Sequence, residues 1–216
     1  MTNASVGLLA KTGRAVAIVV TGDARTPALL ERRALVLWSN EEASTQQPFH
    51  RVMELPWPRA LAAAEAGVRE IERLALEELR ALVSDLAARG VRVTAAGVVG
   101  SLGKDPGSIG NPHIRAHAAE GQLYRRVLER AAAELGLPCA TFPAKDALSA
   151  VAPALGLDAP ELEARVKSLG KGVIRPWTAE ERVAAAAGWA ALAGARAPVS
   201  AGAGRARRPR AVRPSP

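Results

Sequence analysis

The stretch SVGLLAKTGRAVAIVVT, residues 5–21, decides the fold, because it contains two strand-forming segments joined by a tight turn. Residues 5–10 are short and apolar, and residues 15–21 form a continuous β-branched run that suits a central strand. The turn between them contains Gly13, which can take a positive φ. A third segment, LLERRALVLW at 29–38, follows a break at Gly22 to Pro27. These residues predict a three-stranded antiparallel meander.

Helical and strand-like segments alternate after the meander. Residues 58–89 carry apolar side chains at helical spacing and are followed by Gly90, and a strand is predicted at 91–99. A second helix is predicted at 113–135 and a fifth strand at 137–142. Strands that follow a helix usually join a sheet in parallel. The sequence therefore predicts an α/β fold with a mixed five-stranded sheet, three strands antiparallel and two parallel, flanked by helices.

The last part of the folded region is helical. Two short helices are predicted at 145–156 and 159–169. Thr178 and Glu181 have the spacing of a capping box, and the helix that they begin should run to about Leu192.

The chain divides into one domain, residues 1–194, and a basic tail, residues 195–216. The tail is rich in Ala, Gly, Pro and Arg, shows no periodicity and is predicted to be disordered. The net charge of the chain is +8. Six of these charges come from the acid-free tail, through Arg196, Arg205, Arg207, Arg208, Arg210 and Arg213. The remaining charge, near +2, belongs to the folded part.

Cysteine content and hydropathy point to a cytoplasmic protein. Cys139 is the only cysteine, so neither an intrachain disulfide nor a thiolate zinc cluster can form. There is no apolar run long enough to span a membrane, and the first residues do not resemble a secretory signal. We expect no membrane partner.

The order of elements resembles that of the ribonuclease-H-like superfamily over roughly residues 5–192. The second half is similar to RuvC-type Holliday-junction resolvases in three segments. These are HIRAHAAEGQLYRRVLERAAAELGLP at 113–138, AKDALSAVAPALGLDAPELEARVKSLG at 144–170 and TAEERVAAAAGWAAL at 178–192. The resemblance implies a fold that works on nucleic acid, and it raises the expectation of a homodimer.

The acidic residues that the resemblance implies are mostly missing. In that family a carboxylate closes the first strand, where this chain has Ala10-Lys11-Thr12-Gly13, and another ends the fourth, where it has Val98-Val99-Gly100-Ser101. Near the start of the last helix, Glu180 and Glu181 remain as catalytic candidates. Two-metal cleavage needs several carboxylates around Mg²⁺ ions about 4 Å apart. The resemblance therefore implies a degenerate or absent nuclease site, unless other acids have relocated to it, the candidates being Asp23 and Asp105.

The second predicted helix carries a polar stripe. His113, His117, Glu120 and Tyr124 share one helical face. His113, His117 and Glu120 could hold a divalent metal, and both Mg²⁺ and Zn²⁺ stay open as cofactors. An ordinary polar face, or a phosphate or nucleobase site, is the alternative. The approach of His50 from its loop is left open.

Three functional hypotheses follow. The first is a nucleic-acid-binding protein, with DNA as partner, whose basic contacts are Lys11, Arg14, Lys104, Arg205, Arg207, Arg208 and Arg210. The second is a metal-dependent nuclease or phosphoesterase that uses the His113, His117 and Glu120 set or relocated acids. The third is a homodimeric interaction module built on the alanine-rich helices.

Overall fold

The structure is a computed structural model that describes residues 1–39, 45–173 and 176–195. Its centre is a five-stranded sheet in the order β3-β2-β1-β4-β5. The strands are β1 Thr2–Lys11, β2 Arg14–Gly22, β3 Pro27–Val36, β4 Val91–Gly100 and β5 Cys139–Pro143. The first three pair antiparallel, whereas β4 is parallel to both β1 and β5. The predicted mixed sheet is confirmed.

Helices cover both faces of the sheet. On one face, α1 Trp57–Ala88 and α2 Pro112–Glu134 pack against alternate residues of β1 such as Val6 and Leu8. On the other face lie α3 Ala147–Val151, α4 Ala159–Leu169 and α5 Ala179–Leu192. In the described part of the chain, no helix is long and apolar enough to cross a membrane.

Helix α5 approaches the sheet unusually closely. A Cβ atom built on Gly7 of β1 would lie 1.8 Å from the carbonyl oxygen of Ala184, and one on Gly97 of β4 would lie 2.2 Å from that of Ala187. Ser5 in β1 also donates a 2.5 Å hydrogen bond to the carbonyl of Gly188. The alanine-rich sequence of α5 therefore matches two glycines in the central strands, and it fixes the position of this helix.

Most predicted boundaries agree with the structure to within a few residues. Gly90 takes φ +76° after α1, as its predicted place beyond a helix requires. The helix predicted at 145–156 is broken into α3 and a short 3-10 turn, Ala152–Leu155. Pro153 explains this break, because proline has no N–H group and cannot continue α-helical hydrogen bonding. Of the predicted tail, only Ala195 lies within the described residues.

Candidate functional site

Three parallel strands end side by side at one edge of the sheet. Lys11, Gly100 and Pro143 are the last residues of β1, β4 and β5. Open α/β sheets place ligands at this carboxyl edge. The side chains near it form two separate groups, one around Lys11 and one around His50.

The first group joins the end of β1 to the start of α5. Nζ of Lys11 lies 2.9 Å from Oε1 of Glu180, and Nη2 of Arg14 lies 2.8 Å from Oε2 of the same carboxylate. Hydrogen bonds from Lys11 and then Arg14 hold the pKa of Glu180 below its ordinary value of 4.5. Both oxygens of this catalytic candidate are therefore engaged by cations, and its charge is neutralised.

The second catalytic candidate, Glu181, is also bound to neighbours. It closes the predicted capping box with Thr178, which the structure confirms. Its Oε1 atom accepts a 3.0 Å hydrogen bond from Arg32. The groove beside it has a volume of about 450 Å³ and is lined mainly by charged residues, including Arg14, Arg32, Arg33, Glu180 and Glu181.

Of the two acids considered as relocated ligands, Asp23 serves local loop structure instead. Asp23 follows β2, and because β2 is antiparallel to β1, it lies at the opposite end of β1 from Lys11. Its Oδ1 atom accepts hydrogen bonds of 2.7 Å from the backbone N–H groups of Arg25 and Thr26, which lower its pKa. Asp105 precedes the 3-10 turn Pro106–Ser108. The suggestion that Asp23 substitutes for the missing carboxylate is therefore wrong.

The second group contains three histidines. His113 and His117, on the first turns of α2, have their Nε2 atoms 3.0 Å apart. His50 comes from the 3-10 turn His50–Val52, and its ring centroid lies 5.2 Å from that of His113 and 4.3 Å from that of His117. One nitrogen from each ring can be chosen so that all three lie within 4.8 Å of one another. The donor set is suited to a metal ion.

Glu120 takes a different place from the predicted one. Its carboxylate is buried, and it contacts His50 through Oε2, 2.8 Å from Nδ1, and through Oε1, 3.2 Å from the backbone nitrogen. The group that could hold a metal ion consists of His50, His113 and His117, whereas Glu120 of the predicted set lies behind His50. The reason is that solvent exposure changes along the stripe on α2. His113 and His117 are exposed, whereas Glu120 and Tyr124 are buried.

The loop that carries His50 is attached to α2 at a further point. The hydroxyl group of Tyr124 lies 2.9 Å from the carbonyl oxygen of Thr45 and 3.2 Å from that of Gln46. Burial, together with the charge of Glu120, raises the pKa of Tyr124, so its hydroxyl stays protonated and able to donate. The stripe predicted on α2 therefore acts as one surface that receives this loop.

The predicted nucleic-acid contacts are dispersed. Lys11 and Arg14 are bound to Glu180, as described above. Lys104 is exposed in the loop after β4. The side-chain amide of Gln122 donates a 2.7 Å hydrogen bond to the backbone carbonyl of Lys104 and holds this loop. The predicted tail contacts, Arg205, Arg207, Arg208 and Arg210, lie outside the described residues.

Sequence reasoning missed the role of two residues. Arg32 occupies the groove beside α5, and nothing in its strand pattern indicated a contact with Glu181. His50 was left open as a ligand because its loop is distant in sequence from α2. The signal that could have identified it was the total of three histidines in 216 residues.

Comparisons with known proteins concern the fold only. No protein-family model and no curated protein matches the chain. Among solved structures, a Thermus thermophilus RuvC structure matches with 15% identity and a TM-score of 0.48, and covers 88% of this chain and 92% of its own. The structure of T. thermophilus RuvC in complex with a Holliday junction substrate matches with 17% identity, a TM-score of 0.46 and the same coverage.

The fold itself follows from the sheet. Its three antiparallel strands, its two parallel strands, and the helices on both faces are what the resemblance stated above implies. The chain has a ribonuclease-H-like fold.

Proposed function

We propose that this protein associates with nucleic acid and that ion pairs have replaced the carboxylate nuclease site of its fold. The observation that carries the proposal is the binding of Glu180 by both Lys11 and Arg14. A Mg²⁺ ion needs hard, negatively charged oxygen ligands. Here the end of β1 carries the positive side chain of Lys11, and the carboxylate of Glu180 is neutralised by Lys11 and Arg14. This edge of the sheet therefore carries paired positive and negative side chains, and not a cluster of carboxylates that would bind metal ions.

Binding would come from cations around this edge and from the tail. Lys104 and Lys145 are exposed in the loops after β4 and β5, and neither forms an ion pair with a described carboxylate. Each lysine or arginine that contacts a phosphate releases a condensed counterion. The tail adds Arg205, Arg207, Arg208 and Arg210, which we expect to act as a flexible cationic arm. We expect the protein to act in the cytoplasm.

The test is the affinity for duplex, four-way branched and single-stranded DNA over a series of salt concentrations. We expect the logarithm of the binding constant to fall linearly with the logarithm of salt concentration. Replacing the four tail arginines named above with glutamine should reduce that slope by roughly three to four units, and Lys104→Ala by about one. Arg80→Ala, in the second half of α1 and away from the carboxyl edge, is the matched control.

Two results would contradict the proposal. Affinity that does not change with salt would remove the electrostatic argument. Cleavage of any of these DNAs that depends on Mg²⁺ and is lost in Glu180→Gln would show a working carboxylate site. We also predict a homodimer, and light scattering on the full chain tests that prediction separately.

A further inference from the structure

All three histidines of the chain lie in one place, and we infer that they form a site for a single transition-metal ion, Zn²⁺ in particular. The chain has 216 residues and three histidines. They come from two segments distant in sequence, the turn at His50 and the start of α2. Convergence of every imidazole in the chain is not required by the fold, whose core is apolar. The proposal goes beyond nucleic-acid association and does not depend on it.

The distances suit a tetrahedral ion after a small adjustment. With Zn–N bonds of about 2.0–2.1 Å, ligand nitrogens in a tetrahedron are roughly 3.3 Å apart. The Nε2 atoms of His113 and His117 are already 3.0 Å apart. The three ligand atoms lie within 4.8 Å of one another, so the widest gap must close by at most about 1.5 Å. His113 and His117 are exposed, which leaves their side chains free to make this movement.

Glu120 orients His50 for this role. The Nδ1 atom of His50 is 2.8 Å from Oε2 of Glu120, which fixes the Nδ1–H tautomer and leaves Nε2 with its lone pair. Histidines that bind metals usually donate their second ring N–H to a carboxylate or carbonyl in this way. Glu120 is therefore a positioning residue for the site and not a ligand.

The burial of Glu120 supplies a second argument for a cation. Its side chain is 2% exposed, and its carboxylate lies against the ring of His50, which is charged only when protonated. A buried carboxylate is costly unless a positive charge compensates it. A divalent ion on the far side of the His50 ring would provide that charge without a lysine or arginine.

Hydrogen bonds already hold the backbone of the site in position without a metal ion. Tyr124 holds the start of the loop through the carbonyl of Thr45, and Glu120 holds the backbone of His50. Both contacts come from α2, which also carries the other two histidines. Binding would therefore need only side-chain adjustments, because the backbone of both segments is already joined.

Zn²⁺ fits this donor set better than the Mg²⁺ that was left open from the sequence. Imidazole nitrogen suits Zn²⁺, Cu²⁺ and Ni²⁺, whereas Mg²⁺ requires oxygen ligands. Three protein ligands leave a fourth position to water, as in zinc sites that are open to substrate. The exposure of His113 and His117 places that position towards solvent.

The first experiment uses the untagged full chain, because a histidine tag would add ligands. After dialysis against EDTA, we expect calorimetry to give one Zn²⁺ per chain and no binding of Mg²⁺. In proton NMR the chain has only three histidine rings. Zn²⁺ should shift the signals of all three, and Co²⁺ should show the visible absorption of tetrahedral coordination.

Variants then separate the ligands from the positioning residue. His117→Ala and His50→Ala should each abolish stoichiometric binding, and Glu120→Gln should weaken it by about 10- to 100-fold. Ile114→Ala is the matched control on the same turn of α2, since its side chain is exposed. Glu134→Gln, which removes an exposed ion pair with Arg130 on the same helix, is the control for Glu120→Gln. Circular dichroism with EDTA present checks that each variant is folded.

Three outcomes would overturn the inference. One is wild-type protein that binds Zn²⁺ only at substoichiometric levels. A second is Zn²⁺ binding that shifts the rings of His113 and His117 and leaves His50 unchanged, which would indicate a simple chelate on the helix surface. The third is stoichiometric binding that persists in either histidine variant. The NMR result on wild-type protein decides the matter even if His50→Ala does not fold.

Discussion

The Nζ atom of Lys11, the last residue of β1, lies 2.9 Å from Oε1 of Glu180 in the first turn of α5. This contact joins the central strand to the closing helix at the position where the resemblance implies an acid on the strand. Arg14 binds the other oxygen of the same carboxylate. Charges of both signs therefore meet at this end of β1, and in the proposed function they stand where a nuclease site would concentrate negative charge.

Lys11→Met should raise the pKa of Glu180 towards its ordinary 4.5, because the larger of the two hydrogen bonds that lower it is lost. A depressed pKa stabilises the folded protein at pH values above the unfolded pKa, and this contribution is lost as pH falls through the folded pKa. The variant should therefore lose less stability than wild type on acidification below pH 4.5. The pair is partly exposed, so the effect should be no more than about 1 kcal/mol.

Carboxyl-carbon NMR titration measures the pKa of Glu180 directly. Arg92→Met is the control for a lost charge, since Arg92 is exposed on β4 and forms no ion pair with a described carboxylate. An unchanged pKa in Lys11→Met would show that the contact with Lys11 does not persist in solution.

Gly7→Ala should destabilise the protein severely. The added methyl group would meet the carbonyl oxygen of Ala184 at 1.8 Å and the backbone nitrogen of Gly188 at 2.6 Å. Both are backbone atoms, so α5 would have to move away from the sheet. We expect a loss of roughly 3 kcal/mol or more, at the upper end for overpacked cores.

Urea unfolding of Gly7→Ala measures this loss, with Gly103→Ala as the matched control. The nearest atom to a Cβ on Gly103 is the side-chain oxygen of Ser101, at 3.5 Å, which is an ordinary contact. Equal stabilities of the two variants would mean that α5 does not lie this close to β1.

Thr178→Ala should reduce stability by about 1 kcal/mol, because the hydroxyl group that accepts the N–H of Glu181 is removed from the start of α5. Thr178→Ser keeps that oxygen and should stay close to wild type. Thermal or urea unfolding of both variants provides the comparison. A serine variant as unstable as the alanine variant would attribute the effect to packing of the methyl group and not to capping.

Cys139 should react slowly with alkylating reagents. Burial, and then the charge of Glu129, raises the pKa of its thiol to about 11. The thiolate is the reactive form, so at pH 8 the reaction should be more than about 100-fold slower than that of a free cysteine. The rate of iodoacetamide labelling tests this, and the same protein in urea should react at the ordinary rate. Fast labelling of the folded chain would contradict the raised pKa of the Cys139 thiol.

The fold could be predicted from the sequence because its signals are local. Continuous apolar and β-branched runs identified the strands, helical periodicity identified the helices, and the Thr178 and Glu181 spacing located the start of α5. The start of β1 was predicted three residues late. Thr2 joins the strand through the carbonyl of Gly90, a contact made by a distant part of the chain.

The candidate sites were harder to predict because they depend on contacts between distant segments. The helical spacing correctly placed His113, His117 and Glu120 on one face, but spacing alone does not give depth. Glu120 points into the interior, where it contacts His50, and the two histidines stay at the surface. Likewise, the sequence showed a lysine in place of an acid without showing that Glu180 would bind it.

The close contact between α5 and the glycines of the central strands has a further consequence for the charges at the carboxyl edge. Backbone atoms of α5 meet the central strands directly at Gly7 and Gly97, so the helix cannot come closer to the sheet without a steric clash. The location of Glu180 is consequently set by uncharged atoms deep in the protein, and changing Lys11 should alter the electrostatic field at that edge while leaving the carboxylate where it is.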